Sequence, residues 1–178
     1  MKKFLSLLLF LGGIALAGWE FHGYATSGDE IENKNLSGAE GQMQTVHLSS
    51  EMSPVRLILS VDYKIYLRDQ INDAYRYDVR LISPSGVTVV QEKNTHSVKK
   101  EDRGNGYDTG DLNHILGTFQ VSEEGVYTLN WLVRKQQAEI RKIGFSLRNN
   151  VRALHWPTMA LAGGIFLLGL ITVFAGRK

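Results

Sequence analysis

The sequence predicts a mainly β protein: an antiparallel β-sandwich bracketed by two apolar segments. Three observations predict it. Apolar and polar residues alternate at Tyr75, Tyr77, Val79 and Leu81, at Phe119 and Val121, and at Tyr127, Leu129 and Trp131, which is the period of half-buried strands. Turn chemistry, Pro84-Ser85-Gly86 and Glu123-Glu124-Gly125, separates these runs. Apolar stretches lie at both ends of the chain, at residues 4–19 and 155–175.

The chain has 178 residues, room for one domain and its appendages at the usual ~100–200 residues per domain. Lys2, Lys3, Arg177 and Lys178 lie outside both apolar segments. Taking these four from the 20 basic residues leaves 16 against 18 acidic ones, a formal charge of −2 for the region between. The basic balance of the whole chain therefore comes from its tips, which argues against nucleic-acid binding by the folded domain. Cysteine is absent, which excludes a disulfide framework, a thiolate nucleophile and a cysteine-ligated metal.

Residues 1–17 read as a signal peptide or an uncleaved N-terminal anchor. Lys2-Lys3 is a charged start, an apolar run extends from Phe4 to Ile14, and Ala15-Leu16-Ala17 has the small-residue pattern of a cleavage site. The anchor alternative runs to Trp19, at the membrane interface. Residues 18–43 are polar and without period, and are expected to be a linker.

The sandwich is expected over residues 44–149. A short first strand fits residues 44–49, with Val46 and Leu48 on one face. A stronger one fits residues 55–63, with Val55, Leu57, Leu59, Val61 and Tyr63 facing one way. Residues 66–74 read equally as a helical turn or a hairpin loop. Residues 75–83 and 87–91 form a pair around the proline-glycine turn, and strands at 115–121, 126–134 and 143–148 complete the set. Residues 92–113 are the longest polar stretch, expected to be a mobile loop.

Residues 155–175 are expected to form a transmembrane helix, opened by Trp156-Pro157, with residues 176–178 as a cytoplasmic tail. Arg177-Lys178 and the N-terminal lysines agree on topology: both place the β-domain outside the cytoplasm, in a periplasm or at the cell surface. The sandwich is expected close to the bilayer, with Arg148 and Arg152 as solvated boundary charges in reach of lipid headgroups.

Leu81-Ile82-Ser83-Pro84-Ser85-Gly86, Phe119-Gln120-Val121, Gly125-Val126-Tyr127 and Ile143-Gly144-Phe145-Ser146-Leu147 occur in the order of strands and turns of a known module. Over residues 55–147, and in its overall layout, the chain resembles the GOLD domain of the transmembrane cargo receptors of the early secretory pathway. The resemblance implies a jelly-roll-like sandwich in a single-pass membrane protein. The chain lacks that family's paired cysteines, its coiled-coil stretch before the membrane and its aromatic tail signal, so the resemblance extends to architecture and not to cargo-receptor activity.

His22, His47, His96, His114 and His155 are scattered without metal-ligand spacing, and no nucleophile elbow or phosphate loop is present. No cofactor and no catalytic constellation are expected. Asp102, Asn105, Asp108 and Asp111 supply oxygens within one glycine-containing loop, a weak calcium pattern opposed by Lys99, Lys100 and Arg103. Tyr63, Tyr66 and Tyr107, with Asp108 and Asp111, are candidate binding residues. The ordinary alternative for alternating aromatics is strand core. Ala160, Gly163 and Gly164 offer a small-residue face for helix packing in the membrane, which Gly13 and Ala17 would match if the N-terminal segment is retained.

The functional expectation is a non-catalytic, membrane-anchored extracytoplasmic sandwich that binds a protein partner in or near the membrane, as an accessory subunit of a membrane complex. The alternative is a module that binds carbohydrate or another envelope ligand through residues 92–113.

Overall fold

The computed structural model describes residues 2–99 and 106–175. It divides into a β unit, residues 28–151, and a helical unit formed by the two chain ends. The β unit has eight strands: β1 (Asp29–Asn35), β2 (Glu40–Leu48), β3 (Val55–Tyr66), β4 (Ile71–Ile82), β5 (Thr88–Lys99), β6 (Tyr107–Phe119), β7 (Gly125–Lys135) and β8 (Ala138–Asn149). They form two four-stranded antiparallel sheets, ordered β1-β8-β3-β6 and β2-β7-β4-β5.

One rule generates this order. Four strands run out and four return, so that β4 pairs β5, β3 pairs β6, β2 pairs β7 and β1 pairs β8. The resulting ribbon rolls until β3 also meets β8 and β4 meets β7. This is the strand order of a jelly roll. The rolled faces carry the period-two residues: Leu57, Leu59 and Val61 of β3, Val79 and Leu81 of β4, Leu129 and Val133 of β7, Phe145 and Leu147 of β8 are all buried. Each such side chain contributes about 1.5–3 kcal/mol on burial.

The expected linker at 18–43 is not one. A helix continues to Thr26, and β1 and the start of β2 occupy most of the remainder. β1, D-E-I-E-N-K-N, is an edge strand that pairs only with β8, and an edge asks for charge rather than apolar alternation. Its buried Glu32 turns into the sandwich, where the carboxylate accepts the Val46 N–H at 2.9 Å and meets Lys34 Nζ at 2.6 Å.

The expected loop at 92–113 is also corrected. β5 continues to Lys99 and β6 begins at Tyr107; residues 100–105 lie outside the described set. The ambiguous stretch at 66–74 is a turn followed by the start of β4. The buried Asn72 organises it: its Oδ1 accepts the N–H groups of Arg68 and Asp69 at 2.9 and 3.1 Å, and its Nδ2 donates to the Asp69 carbonyl at 2.7 Å.

In the helical unit, α1 (Lys2–Thr26) and α2 (Trp156–Ala175) run antiparallel. Ser6, Gly13 and Glu20 are the buried positions of α1, and Ala162 and Gly169 those of α2. A spacing of seven keeps one seam facing its partner when two helices coil left-handedly. The seam is close: a Cβ at Gly13 would stand 2.8 Å from the Ala162 carbonyl oxygen, and one at Gly169 would stand 2.7 Å from the Phe10 nitrogen. Phe10 and Phe166 stack beside it, ring centroids 4.8 Å apart. Gly13 packs on Ala162 and Phe166, whereas Ala160, Gly163 and Gly164 do not join this seam; they are exposed, and nothing outside their own helix lies within 4 Å of a Cβ built at either glycine. Glu20 ends the seam. Its carboxylate accepts from Arg152 Nη2 at 2.7 Å and from the His155 N–H, just ahead of α2, at 2.9 Å.

α1 is long and apolar enough over Ser6–Thr26 to cross a membrane or to serve as a signal sequence, whereas the described apolar stretch of α2, Trp156–Thr172, is shorter.

Phe119 and Trp131 face the interior from opposite sheets, 8% and 7% exposed. The Trp131 ring lies on Gly41 of β2, where a Cβ would come within 2.5 Å of it, and Nε1 donates to the Gly38 carbonyl at 3.3 Å. Trp131→Ala should therefore lower the unfolding free energy by about 3–5 kcal/mol, as for other buried aromatics cut to alanine. Chemical denaturation checks this, and a wild-type midpoint with an unchanged slope would contradict the placement.

Candidate functional site

The interior is not apolar throughout. Where the β5 and β6 edges face each other, the half-buried positions include polar groups, Glu92 and His96 on β5 and Asp108 and His114 on β6, beside the apolar Val98 and Leu112. They meet buried Tyr63 of β3 and buried Tyr75 and Tyr77 of β4. Tyr75 Oη and His114 Nε2 share a hydrogen bond of 2.6 Å, and Tyr63 Oη and His96 Nε2 share one of 3.1 Å. The rings pack edge-on or tilted in a continuous set: Tyr63–Tyr75 at 5.5 Å, Tyr75–His114 at 5.8 Å, Tyr77–His114 at 4.9 Å and His96–His114 at 5.7 Å between centroids.

Burial favours the neutral forms of the tyrosine and histidine rings in this nest. Burial pushes the tyrosine hydroxyls up from their ordinary value, Tyr63 with help from the Asp108 charge and the hydrogen bond to it. A phenol has one proton. Which partner donates in the Tyr63–His96 bond depends on the imidazole tautomer. Burial pushes both imidazoles down, and His96 lowers His114 further, while Asp108 partly opposes the shift at His96. Both Nε2 atoms are engaged by phenol oxygens.

The residues singled out by sequence separate into three places. Tyr63 and Asp108 belong to the nest. Tyr66 and Tyr107 pair across β3 and β6, 62% and 50% exposed, with ring centroids 6.3 Å apart and Lys64 Nζ 5.6 and 5.5 Å from them. Asp111 lies opposite Asp62 on the outer face of its sheet, beside Ser60 and Asn113, whose side chains are 2.6 Å apart. The buried Tyr75 and Tyr77 also belong to the nest, and Trp131 is core. Asp102 and Asn105 lie outside the described residues, and Asp108 and Asp111 fall on different faces. Among the described residues, no group of three or more His, Asp or Glu could hold a metal ion.

A further feature escaped the sequence reading. A cleft of about 1230 Å³ opens between the β1–β2 connection and the β7–β8 hairpin. Leu36, Val133, Ala138 and Ile143 form its buried floor; Arg134, Lys135, Arg141 and Lys142 stand exposed around it. Its wall is tied down: the Leu36 N–H donates to Ile143 at 2.8 Å, the Val133 N–H to Ala39 at 2.6 Å, and Trp131 Nε1 to Gly38. The available signal was four cations within residues 134–142.

No protein-family model matches the chain, and no curated protein matches it. Among solved structures, it is similar to a structure of infectious bursal disease virus, Gx strain, at 8% identity and a TM-score of 0.33, covering 74% of this chain and 32% of that one. It is also similar to the VP2 subviral particle of the same virus, at 10% identity and a TM-score of 0.27, covering 76% and 33%. The chain thus spans about a third of the length of these proteins. Its fold is described by its own strand order.

The nest carries a pH dependence. Both histidines have lowered folded-state values, so below their ordinary value of 6.5 the unfolded chain binds more protons than the folded one. Stability contributed above about pH 6.5 should be lost as pH falls through that value towards the folded-state values. Urea melts at pH 7.5, 6.5 and 5.5 check this. Replacing both histidines with glutamine should flatten the dependence, and an unaltered dependence in that variant would contradict the assignment.

Proposed function

We propose that this chain is a non-catalytic, membrane-anchored extracytoplasmic sandwich that docks a protein partner through one end of its β unit. The observation that carries this reading is the division of labour between the two ends of β3 and β8. The chain enters the β unit at Gly28 and leaves it at Val151, beside the β1–β8 pair at Asp29 and Asn149. At the opposite ends of the same strands lie exposed Tyr66, Ile71 and Tyr107 and the cation-rimmed cleft. The strands separate these ends by about 35 Å at ~3.3 Å per residue.

Anchoring is carried by α1 and α2 together. Twenty residues of α2 make a helix of about 30 Å, the thickness of the hydrocarbon core. The close Gly13 seam and the Glu20 contacts support an α1 that is retained rather than cleaved. Lys2-Lys3 and Arg177-Lys178 then put both chain ends in the cytoplasm and the sandwich outside. The exposed Ala160, Gly163 and Gly164 remain as a surface for another helix. The second reading, envelope carbohydrate binding, is favoured by one observation, the exposed Tyr66–Tyr107 ring pair.

Purification of the full chain in mild detergent tests this. The intact mass should include residues 1–17, and a stoichiometric membrane or envelope protein should co-purify. Tyr66→Ala with Tyr107→Ala should reduce its recovery. A cleaved N-terminus would remove the two-helix anchor; a lone protein that binds glycans on an array would replace the docking reading with the second one. Separately, Gly164→Leu should abolish any cross-linked assembly that depends on the outer face of α2, with the protein still inserted in membranes.

A further inference from the structure

The β unit is formally acidic, with 15 basic and 17 acidic residues over 28–151. Against that background, the cleft between the β1–β2 connection and the β7–β8 hairpin reverses the sign locally. Arg134, Lys135, Arg141 and Lys142 surround it, against Glu40 and Glu139. Among the described residues, Arg134, Lys135 and Lys142 form no ion pair, and Arg141 only reaches Asp62 at 3.9 Å. Unpaired cations held around a fixed apolar floor are poorly explained by solubility, which needs no concavity. The floor removes apolar surface from water, and the rim selects the charge of whatever covers it.

We propose that this cleft binds an extended acidic segment of the partner protein, its apolar side chains on Leu36, Val133, Ala138 and Ile143 and its carboxylates on the rim cations. The inference rests on the partner reading above and names the chemistry of that partner. Extension follows from the lining: the cleft opens between two chain segments, residues 35–40 and 132–143, along which a strand-like segment can lie. The buried apolar floor favours a peptide, whose side chains can cover it, over anionic headgroups, which offer charge alone.

The test uses the purified full-length protein in detergent with a fluorescent peptide of alternating leucine and glutamate, the same peptide with lysine for glutamate, and vesicles with and without phosphatidylserine. The acidic peptide should raise anisotropy on binding, the lysine peptide should not, and added salt should weaken the complex. Lys135→Glu with Lys142→Glu changes two exposed side chains, so the melting curve should hold while peptide affinity falls by about tenfold or more. Equal binding by that variant, or no binding of the acidic peptide, overturns the proposal. Binding of the phosphatidylserine vesicles alone, abolished by the same variant, overturns it in favour of headgroups. If the co-purified partner is retained at full strength by the variant, the partner reading stands and the cleft assignment fails; if no partner is ever recovered while the peptide binds as expected, the reverse holds.

Discussion

The fold depends on where β8 inserts. It is the last strand made, yet it lies between the first and the third, with β1 on one side and β3 on the other. Until it arrives, β1 has no partner, because its other edge is free. β1 itself brings one half-buried isoleucine and a buried glutamate, too little apolar surface to hold it in place. Its order is therefore borrowed from the β8 backbone. The same pairing sets Gly28 beside Val151: a Cβ at Gly28 would strike the Asn149 carbonyl and the Val151 side chain, and Arg148 Nη2 donates to the Gly28 carbonyl at 2.8 Å. Entry and exit are stapled together, and the opposite ends of the strands are left for other uses.

Two sheets leave two open sides, and polar groups close both. On the β1–β2 side, Glu32 reaches from one sheet to the Val46 N–H of the other. On the β5–β6 side, the tyrosine–histidine nest does so, with Tyr63 and His114 from one sheet and Tyr75, Tyr77 and His96 from the other. A buried polar atom without a partner costs about 1–3 kcal/mol, so such closures are stabilising only when their bonds are complete. Completed, they fix register as apolar contacts cannot, since a one-residue slip turns a tyrosine hydroxyl away from its imidazole. The pH dependence expected of the nest follows from this closure, with no separate device required.

The same distinction explains what was legible in the sequence. β3, β4, β7 and β8 are inner strands of their sheets, so one face is core along most of their length, and Val55 to Tyr63 or Tyr127 to Trp131 show period two plainly. β1, β2, β5 and β6 are edges. Their inward positions include Glu32, Glu92, His96 and Asp108, which in one dimension look like loop residues. The candidate site was affected in the same way. Tyr63, Tyr66, Tyr107, Asp108 and Asp111 are close in composition and near in register, but strand alternation and the roll send them to an interior nest, an exposed ring pair and an outer face. The cleft was hidden for a different reason: its cations fall in two pairs within residues 134–142, but its floor combines Leu36 with Val133 and Ile143, which only the β1–β8 and β2–β7 pairings bring together.

Glu20 is the residue that the leader reading of the N-terminus least accommodates. A charged n-region, an apolar run and Ala15-Leu16-Ala17 make a sufficient leader, and a leader asks nothing specific of the residues that follow. Here the carboxylate is buried, seven residues beyond Gly13 on the same face, and it meets both a guanidinium and the N–H group that opens α2. Taking an unpartnered carboxylate out of water costs several kcal/mol. Its partners are Arg152 and His155, 132 and 135 residues away in sequence, so it is satisfied only when the two helices lie side by side. The helix N-terminus adds to the favourable field at the carboxylate. A short, close-packed seam of Ser6, Gly13, Ala162 and Gly169 gains its energy from van der Waals contact, which fixes distance well and axial register poorly. One directed polar clasp at its end sets that register, which is the role proposed for Glu20 in a hairpin whose first helix stays in place.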